Sequence, residues 1–330
     1  MRASLKRCFT RRRAHEGDGI VRCDLHLHSR HSGPADIWPL SLLARESYTD
    51  PRAVYGEARR RGMDLVTLTD HDTIAGALEI AALPGTFVSE EVSCVLPGGR
   101  LLHVGVFGIS EAQHDVISRR RTDAESLFAY LAEERIPAAV NHLFSALTGR
   151  RATADLHRAL SALELVEARN GMMSQAVNAR AARAGRVAGL AAVGGSDAHT
   201  LASVARAFTV IPEARNREEF LAGLRRGLSI PAGRSGGYAR LTSDLARIAA
   251  GAYCESARSC RREAAAAARF AALVALLPLL PLLPLVTAGA FLHEQLFARH
   301  HERALLASRP RRGPAASGPF GPAAAASLAT

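Results

Sequence analysis

The stretch Ile20-Val21-Arg22-Cys23-Asp24-Leu25-His26-Leu27-His28 is a short apolar run that ends in ligand-type side chains. Residues 20–27 read as a strand, and a strand's period of two puts His26 and His28 on one face. The same ending recurs along the chain. Residues 63–69 read as a second strand closed by Asp70-His71-Asp72, and residues 86–92 as a third that carries Glu90-Glu91. His103 lies within the strand expected at 101–109, and a strand at 137–140 is closed by Asn141-His142. Further strands are expected at 163–168, 190–193 and 208–211, with Asp197-Ala198-His199 following the second of these. Nearly every apolar strand thus delivers an imidazole or a carboxylate, mostly at its C-terminal end. That is where barrels and open α/β sheets assemble their sites.

Helical patterns fill the intervals. A helix is expected over 50–61, stopped by Gly62, and another from Thr73. Ser110-x-x-Gln113 and Thr122-x-x-Glu125 are capping-box patterns that start two more. Others are expected near 153–160, near 172–187, and from Asn216 to just before Gly227, while Pro97-Gly98-Gly99 marks a turn. Strand–helix alternation over residues 21–235 argues for one α/β domain with a mainly parallel sheet, open or closed into a barrel. No internal repeat interrupts it.

The chain has 330 residues, 48 % hydrophobic and 22 % charged, enough for one large domain or two ordinary ones. This composition excludes collagen, a disulfide-rich miniprotein and a wholly disordered chain. The net charge of +11 is confined to the ends. Residues 1–22 carry seven basic and two acidic side chains, residues 258–330 nine and three, and residues 23–257 carry 26 of each. The body is neutral between two cationic tails, which argues against a broad nucleic-acid-binding surface. Cys8, Cys23, Cys94, Cys254 and Cys260 include no Cys-x-x-Cys pair, so neither a thiolate zinc site nor a disulfide framework is expected. The first 20 residues lack the apolar core of a signal peptide, and a cytoplasmic location is the expectation.

The last third reads differently. Residues 236–269 read as an Ala/Arg-rich helical extension, and residues 270–292 carry no formal charge. About 20 apolar residues suffice to span a bilayer. Pro278, Pro281 and Pro284 interrupt this run, and each interior proline costs roughly 3 kcal/mol in a soluble helix. Membrane helices tolerate proline better. Membrane contact through 270–292 is therefore expected, with a buried hairpin or an irregular segment as alternatives. Arginines on both flanks leave the orientation open. Residues 1–20 and 293–330 are expected to be disordered tails.

His26, His28, His71, His103, His142 and His199, with Glu91 and Asp197 and no thiolate, suit two or three divalent ions such as Zn, Mn or Fe. Eight ligands are too many for one ion. In order, Asp-Leu-His-x-His-Ser, Leu-Thr-Asp-His-Asp, Glu-Val-Ser, the isolated His103, Asn-His-Leu and Gly-Ser-Asp-Ala-His resemble the successive motifs of the polymerase and histidinol phosphatase (PHP) family. The resemblance covers 21 to about 235. It implies a distorted (β/α)7 barrel whose two- or three-metal centre activates water to hydrolyse phosphate esters.

Carried over by position, it implies His26, His28, Glu91 and Asp197 at a first metal. Glu91 would bridge to a second metal held by His103 and His142, and His71 and His199 would hold a third. Glu91 is preferred to Glu90 because the family's carboxylate directly precedes a pair like Val92-Ser93; a register slip of one would give Glu90 the role. Gly33 stands where the family usually has a further third-site ligand, and His31 or Asp36 are the substitutes. Asp24 and Asp70 are expected to accept from histidine N–H groups, and Arg234 to bind phosphate. The implied substrate is a small phosphomonoester or nucleotide. The alternatives are exonuclease action on short oligonucleotides and a non-catalytic metal-binding scaffold.

Overall fold

The computed structural model describes residues 19–35, 40–145 and 151–307. Residues 1–18, Asp36 and residues 308–330, on which the tail and alternative-ligand expectations fall, lie outside the described residues. The strands are β1 Ile20–Asp24, β2 Leu65–Val66, β3 Ser89–Leu96, β4 Arg100–Phe107, β5 Ala138–Val140, β6 Leu165–Asn170, β7 Ala191–Gly195, β8 Ala207–Pro212 and β9 Ile230–Gly233. The helices are α1 Pro51–Arg60, α2 Ala75–Ile80, α3 Glu111–Arg120, α4 Ala124–Glu133, α5 Thr153–Ala162, α6 Gln175–Ala188, α7 Arg217–Arg225, α8 Tyr238–Ser259, α9 Ala264–Leu276 and α10 Leu283–Ala307.

These strands form two sheets rather than one closed, mainly parallel barrel. One has the order β2-β1-β8-β9 and the other β3-β4-β5-β6-β7. The departure from parallel pairing has a local cause. Pro97-Gly98-Gly99 leaves only three residues between Leu96 and its partner Arg100, with positive φ of 86° and 77° at the two glycines. So short a connection can join only antiparallel neighbours. β4–β5, β1–β8 and β8–β9 are antiparallel too, whereas β1–β2, β5–β6 and β6–β7 are parallel. Isolated bridges stitch the sheets together at two seams: Val66 to Thr86 and His71 to Glu91 on one side, Leu27 to Ala198 on the other.

Period-two alternation sorts the core. In β5, Ala138 and Val140 join a cluster containing Leu127 and Leu131 of α4 and Leu156 of α5. Ala139 points the other way, into a layer shared with Cys23 and Leu25, Val193, Ile211 and Phe220. Leu27, Val66 and Leu68 pack on Val54, Ala58, Ala77 and Ile80 of α1 and α2. Both faces of the central strands are therefore buried.

Caps set most helix boundaries as expected. Asp50 accepts from Arg52 N and Ala53 N at 3.0 and 3.2 Å, and Gly62 takes φ 88° just beyond α1. Ser110 and Gln113 complete a reciprocal box at α3. At α4 the cap is Asp123, not Thr122: its carboxylate takes Glu125 N at 3.1 Å, while Thr122 turns back to the Arg119 carbonyl.

The expected single helix over 236–269 is two, α8 and α9. The prolines then recur every three residues, which matches a 3-10 turn, and residues Leu277–Leu282 adopt that form. Pro284 falls in the first turn of α10, where no N–H is needed. α8 and the α9–α10 run form an antiparallel hairpin. Tyr253 packs on Phe270 with ring centroids 5.1 Å apart, Thr242 meets Thr287 Oγ1 to Oγ1 at 2.7 Å, and Tyr238 Oη donates to Pro284 O at 2.9 Å. Residues 293–307, expected as part of a tail, continue α10. Glu302 there is paired with Arg180 and Arg183 of α6, and His301 Nδ1 lies 3.1 Å from Thr153 Oγ1.

Candidate metal centre

The strand ends converge as their sequence positions require. Because β1 ends at Asp24, the extended residues beyond it place His26 and His28 beside the 197–199 loop, with Asp197 N donating to His26 O at 2.8 Å and His28 N to Ala198 O at 3.1 Å. His71 follows β2, Glu91 lies on β3, His103 on β4, and His142 follows β5. His142 and Asp197 take positive φ of 27° and 54°. Non-glycine residues in that region cost on the order of 1–3 kcal/mol each and concentrate at functional sites.

Glu91 is the hub. It is buried, and its two oxygens face different histidines. Oε1 lies 3.2 Å from His142 Nε2 and 3.5 Å from His103 Nδ1. Oε2 lies 3.0 Å from His26 Nε2, 3.3 Å from His28 Nε2 and 3.4 Å from His71 Nε2. Asp197 Oδ1 adds contacts of 3.5 Å to His26 Nε2 and 3.6 Å to His28 Nε2 and to His199 Nδ1. All eight expected ligands are brought together. Glu90 points elsewhere and meets His114 Nδ1 at 2.9 Å, so the strand register favours Glu91.

The donor set suits divalent metal. His28 Nε2 and Glu46 Oε2 are buried and lack an aligned hydrogen bond, although Glu91 and His71 approach them to 3.3 and 2.8 Å. Donor atoms that lie close but misaligned converge on a shared point rather than on each other. Among the described residues, five overlapping groups of three ligands have their atoms within 4.8 Å, including His26–His28–Glu91, His71–Glu91–His103 and His28–Glu46–His71.

Glu46 was missed in the sequence. It sits in a loop without strand context, yet its Oε2 lies 2.8 Å from His71 Nε2 and 3.7 Å from His199 Nε2. His31, one expected substitute at that end of the cluster, instead meets Glu79 at 3.1 Å.

The supporting contacts differ from expectation in three places. Asp24 accepts backbone N–H groups, from Ser196 and Ala205 at 2.8 Å and His26 at 3.2 Å, and no imidazole. The carboxylate on the His26 ring is Glu167, 2.8 Å from Nδ1. Glu167 also takes His142 N and Asn170 Nδ2 at 2.8 Å each; with Glu164 it is one of two carboxylates in the strand expected at 163–168, and that was its available signal. Asp70 reaches His28 indirectly: it accepts from Ser32 Oγ at 2.8 Å, which lies 2.9 Å from His28 Nδ1. Arg234 is exposed and stands outside the cavity above the cluster, whereas Arg45 lines it.

Electrostatics bind the cluster in its metal-free form. Burial opposes charge on His71, but Glu91 and Glu46 outweigh it and lift its pKa to about 9. His199, likewise buried, is lifted to about 9 by Glu46 and Asp197. His26 is raised well above its ordinary value by Glu91, Asp197 and Glu167 against burial. Burial wins at His103, pushed down to about 4, and at Asp24, pushed up to about 6.

Metal requires neutral imidazole. Uptake at pH 7.5 is therefore expected to release about two protons or more, and affinity should rise with pH up to about 9. Calorimetry in two buffers of different ionisation enthalpy measures this directly. Without metal, the raised pKa values of His71 and His199 contribute stability that is complete below about 6.5 and lost as pH rises through about 9.

Residues 175–228, which contain Asp197 and His199, match a family model described as PHP-associated. The resemblance read from its motifs is thereby borne out. An uncharacterized protein of Methanocaldococcus jannaschii is 35 % identical over 72 residues, which cover 22 % of this chain and 41 % of that one. The match thus spans less than half of that relative's length. Among solved structures, PsfC from Pseudomonas syringae PB-5123 aligns over 63 % of this chain and 94 % of its own, with 17 % identity and a TM-score of 0.43. A protein of Bifidobacterium adolescentis named as a metal-dependent phosphoesterase aligns over 69 % and 96 %, with 12 % identity and a TM-score of 0.37.

Proposed function

We propose that this chain is a PHP-type hydrolase of small phosphate monoesters, working with two or three divalent ions. The observation that carries the reading is the division of Glu91: one oxygen faces His103 and His142, the other His26 and His28. That is the disposition of a bridging carboxylate. His26, His28, Asp197 and Glu91 would hold one ion, Glu91, His103 and His142 a second, and His71, His199 and Glu46 a third. When bound, such ions supply Lewis acidity and water of lowered pKa for attack on phosphorus. The two seams support reading the sheets as a split form of the seven-stranded barrel.

The chain's own groups do the positioning. Glu167 fixes the His26 ring through Nδ1, and the Asp70–Ser32 pair fixes His28 through its Nδ1, leaving each Nε2 turned inward. Arg45 is the arginine among the described residues that line the cavity, and its guanidinium, which donates to the Arg30 carbonyl and lies 3.4 Å from Glu255, would turn from them to take a phosphate oxygen. The cavity, about 210 Å³, has α8 and α10 on its walls as well as the ligands. A space of this volume favours a small substrate over a duplex.

Phosphate release from a panel of phosphomonoesters, nucleotides and short oligonucleotides, with Mn²⁺ or Zn²⁺ added, tests this. Metal-dependent turnover that disappears in His26→Ala is expected. If wild type and His26→Ala are both folded and equally inert, the hydrolase reading fails; if only oligonucleotides react, the exonuclease replaces it. Within the panel, Arg45→Ala should raise KM about tenfold, the worth of one charge-assisted hydrogen bond, while Arg234→Ala stays within about twofold of wild type.

A further inference from the structure

The cavity above the ligand cluster has a floor and walls of opposite chemistry. Its floor is imidazole and carboxylate; its walls include Leu241, Leu245 and Ile248 from α8, Phe291 from α10, and Met172 and Val177. The three α8 residues follow at intervals of four and three, one continuous stripe. Polar wall groups are already engaged with one another: Ser145 Oγ donates to Glu294 at 3.1 Å, and Gln295 bonds Ser174. A sugar or a base seated there would find few partners for its donors and acceptors, and unpaired polar groups are costly to bury. An alkyl chain would not.

The same two helices carry a second apolar feature outside. Leu279, Leu280, Leu282, Leu285, Val286 and Leu292 are 46–70 % exposed, a run of exposed apolar side chains of the kind that marks an interaction surface. Only 6 % of the most apolar window in Ala264–Ala307 is buried. The hairpin contacts with α8, and the docking of the far end of α10 on α5 and α6, hold this run along the body. It is placed to lie on a bilayer surface. Charge points the same way. Of the three acidic residues in 258–330, Glu294 and Glu302 are buried in the body, whereas Arg261, Arg262, Arg269, Arg299 and Arg303 are exposed. An apolar face rimmed by arginine suits the interface of an anionic membrane. Along α10, Val286 on the outside and Phe291 on the cavity wall are only about 8 Å apart, five residues at 1.5 Å rise.

We infer that the substrate is an amphiphilic phosphate monoester, taken from an anionic lipid surface on which the α8–α10 hairpin rests, its phosphate on the ligand cluster and its chain along the α8 stripe. This inference rests on the hydrolase reading for turnover but not for binding. The test uses the full, metal-loaded chain. It is floated with vesicles of phosphatidylcholine alone and with 30 % phosphatidylglycerol. Separately, n-alkyl monophosphates from ethyl to octyl are assayed for turnover, and n-alkylphosphonates of the same lengths for binding by calorimetry.

Salt-sensitive flotation with the anionic vesicles is expected. KM and phosphonate Kd should fall about fourfold per added methylene while the chain remains in the cavity. Leu245→Asn and Ile248→Asn should each weaken octylphosphonate and spare ethylphosphonate, with unchanged metal content to show that the fold survives. A Leu279→Ser/Leu285→Ser/Val286→Ser triple variant should abolish flotation and keep octylphosphonate affinity. A flat chain-length series overturns the inference, as does a chain that ignores anionic vesicles or buries this face by dimerising in light scattering. Phosphonate affinity that climbs with length without any hydrolysis of the phosphates sinks the hydrolase reading and leaves this one standing. Hydrolysis indifferent to chain length does the reverse.

Discussion

A Glu91→Gln protein is expected to fold, to bind divalent metal about 10²–10⁴-fold more weakly, and to lose its turnover with the metal. The amide keeps the size of the side chain but removes the charge and offers N–H where an acceptor is needed. Glu91 is buried among His26, His28, His71, His103 and His142, so the loss is not compensated by water. Removing one member of a buried charged set costs about 3–5 kcal/mol, which is the stated factor at about 1.4 kcal/mol per decade. Two of the three proposed ions share this side chain, so metal content should fall by more than one ion while the His71, His199 and Glu46 group retains some. Elemental analysis after dialysis and a chelator competition give both numbers. Glu90→Gln is the control: Glu90 meets His114 and faces away, and its metal content should match wild type. Equal metal affinity in Glu91→Gln and wild type would remove Glu91 from the bridge, and with it the observation on which the hydrolase reading stands.

The sequence favoured Glu91 over Glu90 only through the resemblance, which sets the carboxylate before a pair like Val92-Ser93; strand parity is why just one of the two can serve. Adjacent residues of a strand point to opposite faces, and a single register decides which carboxylate looks inward. The same logic located His26, His28, His103 and Asp197, because each is tied to an apolar run whose direction the pattern fixes. Glu167 was within reach of it, being one of two carboxylates, with Glu164, in the strand expected at 163–168. Glu46 was not: loop residues carry no period, and its place beside His71 and His199 depends on how the segment after Ser32 packs. Asp24 misled for a related reason. A buried carboxylate next to a ligand motif serves equally well as an acceptor for imidazole or for backbone, and only the approach of Ser196 N and Ala205 N decides it. The mainly parallel sheet failed at Pro97-Gly98-Gly99, where a turn too short for a crossover was legible but was not followed through to antiparallel pairing. The prolines at 278, 281 and 284 were read as obstacles to a helix, although a spacing of three is the pitch of the 3-10 form that Pro278 and Pro281 adopt and Pro284 fits the first turn of α10.

Gly195→Ala is expected to destabilise the protein by about 1–3 kcal/mol or more and to weaken metal binding, though a single methyl is added. Gly195 ends β7 where the strand meets the first ligand. A Cβ there would lie 2.3 Å from His26 Cβ, 2.9 Å from His26 N and 3.0 Å from Glu167 Oε1. Two of those atoms belong to the backbone and Cβ of a ligand, so a flexible side chain cannot swing aside to make room. Its φ is not positive, which leaves sterics as the sole cause. His26 must move, and its ring would leave Glu167 on one side and Glu91 on the other, so stability and metal affinity fall together. Gly56→Ala separates this from a general effect of replacing glycine. Gly56 lies within α1 with nothing near its added Cβ, and alanine there should raise stability by up to about 1 kcal/mol. Thermal unfolding of the metal-free and metal-loaded forms measures both. A Gly195→Ala protein that melts with wild type and keeps its metal would mean that β7 and the His26 segment do not pack this closely, and the ligand geometry built on that contact would have to be redrawn.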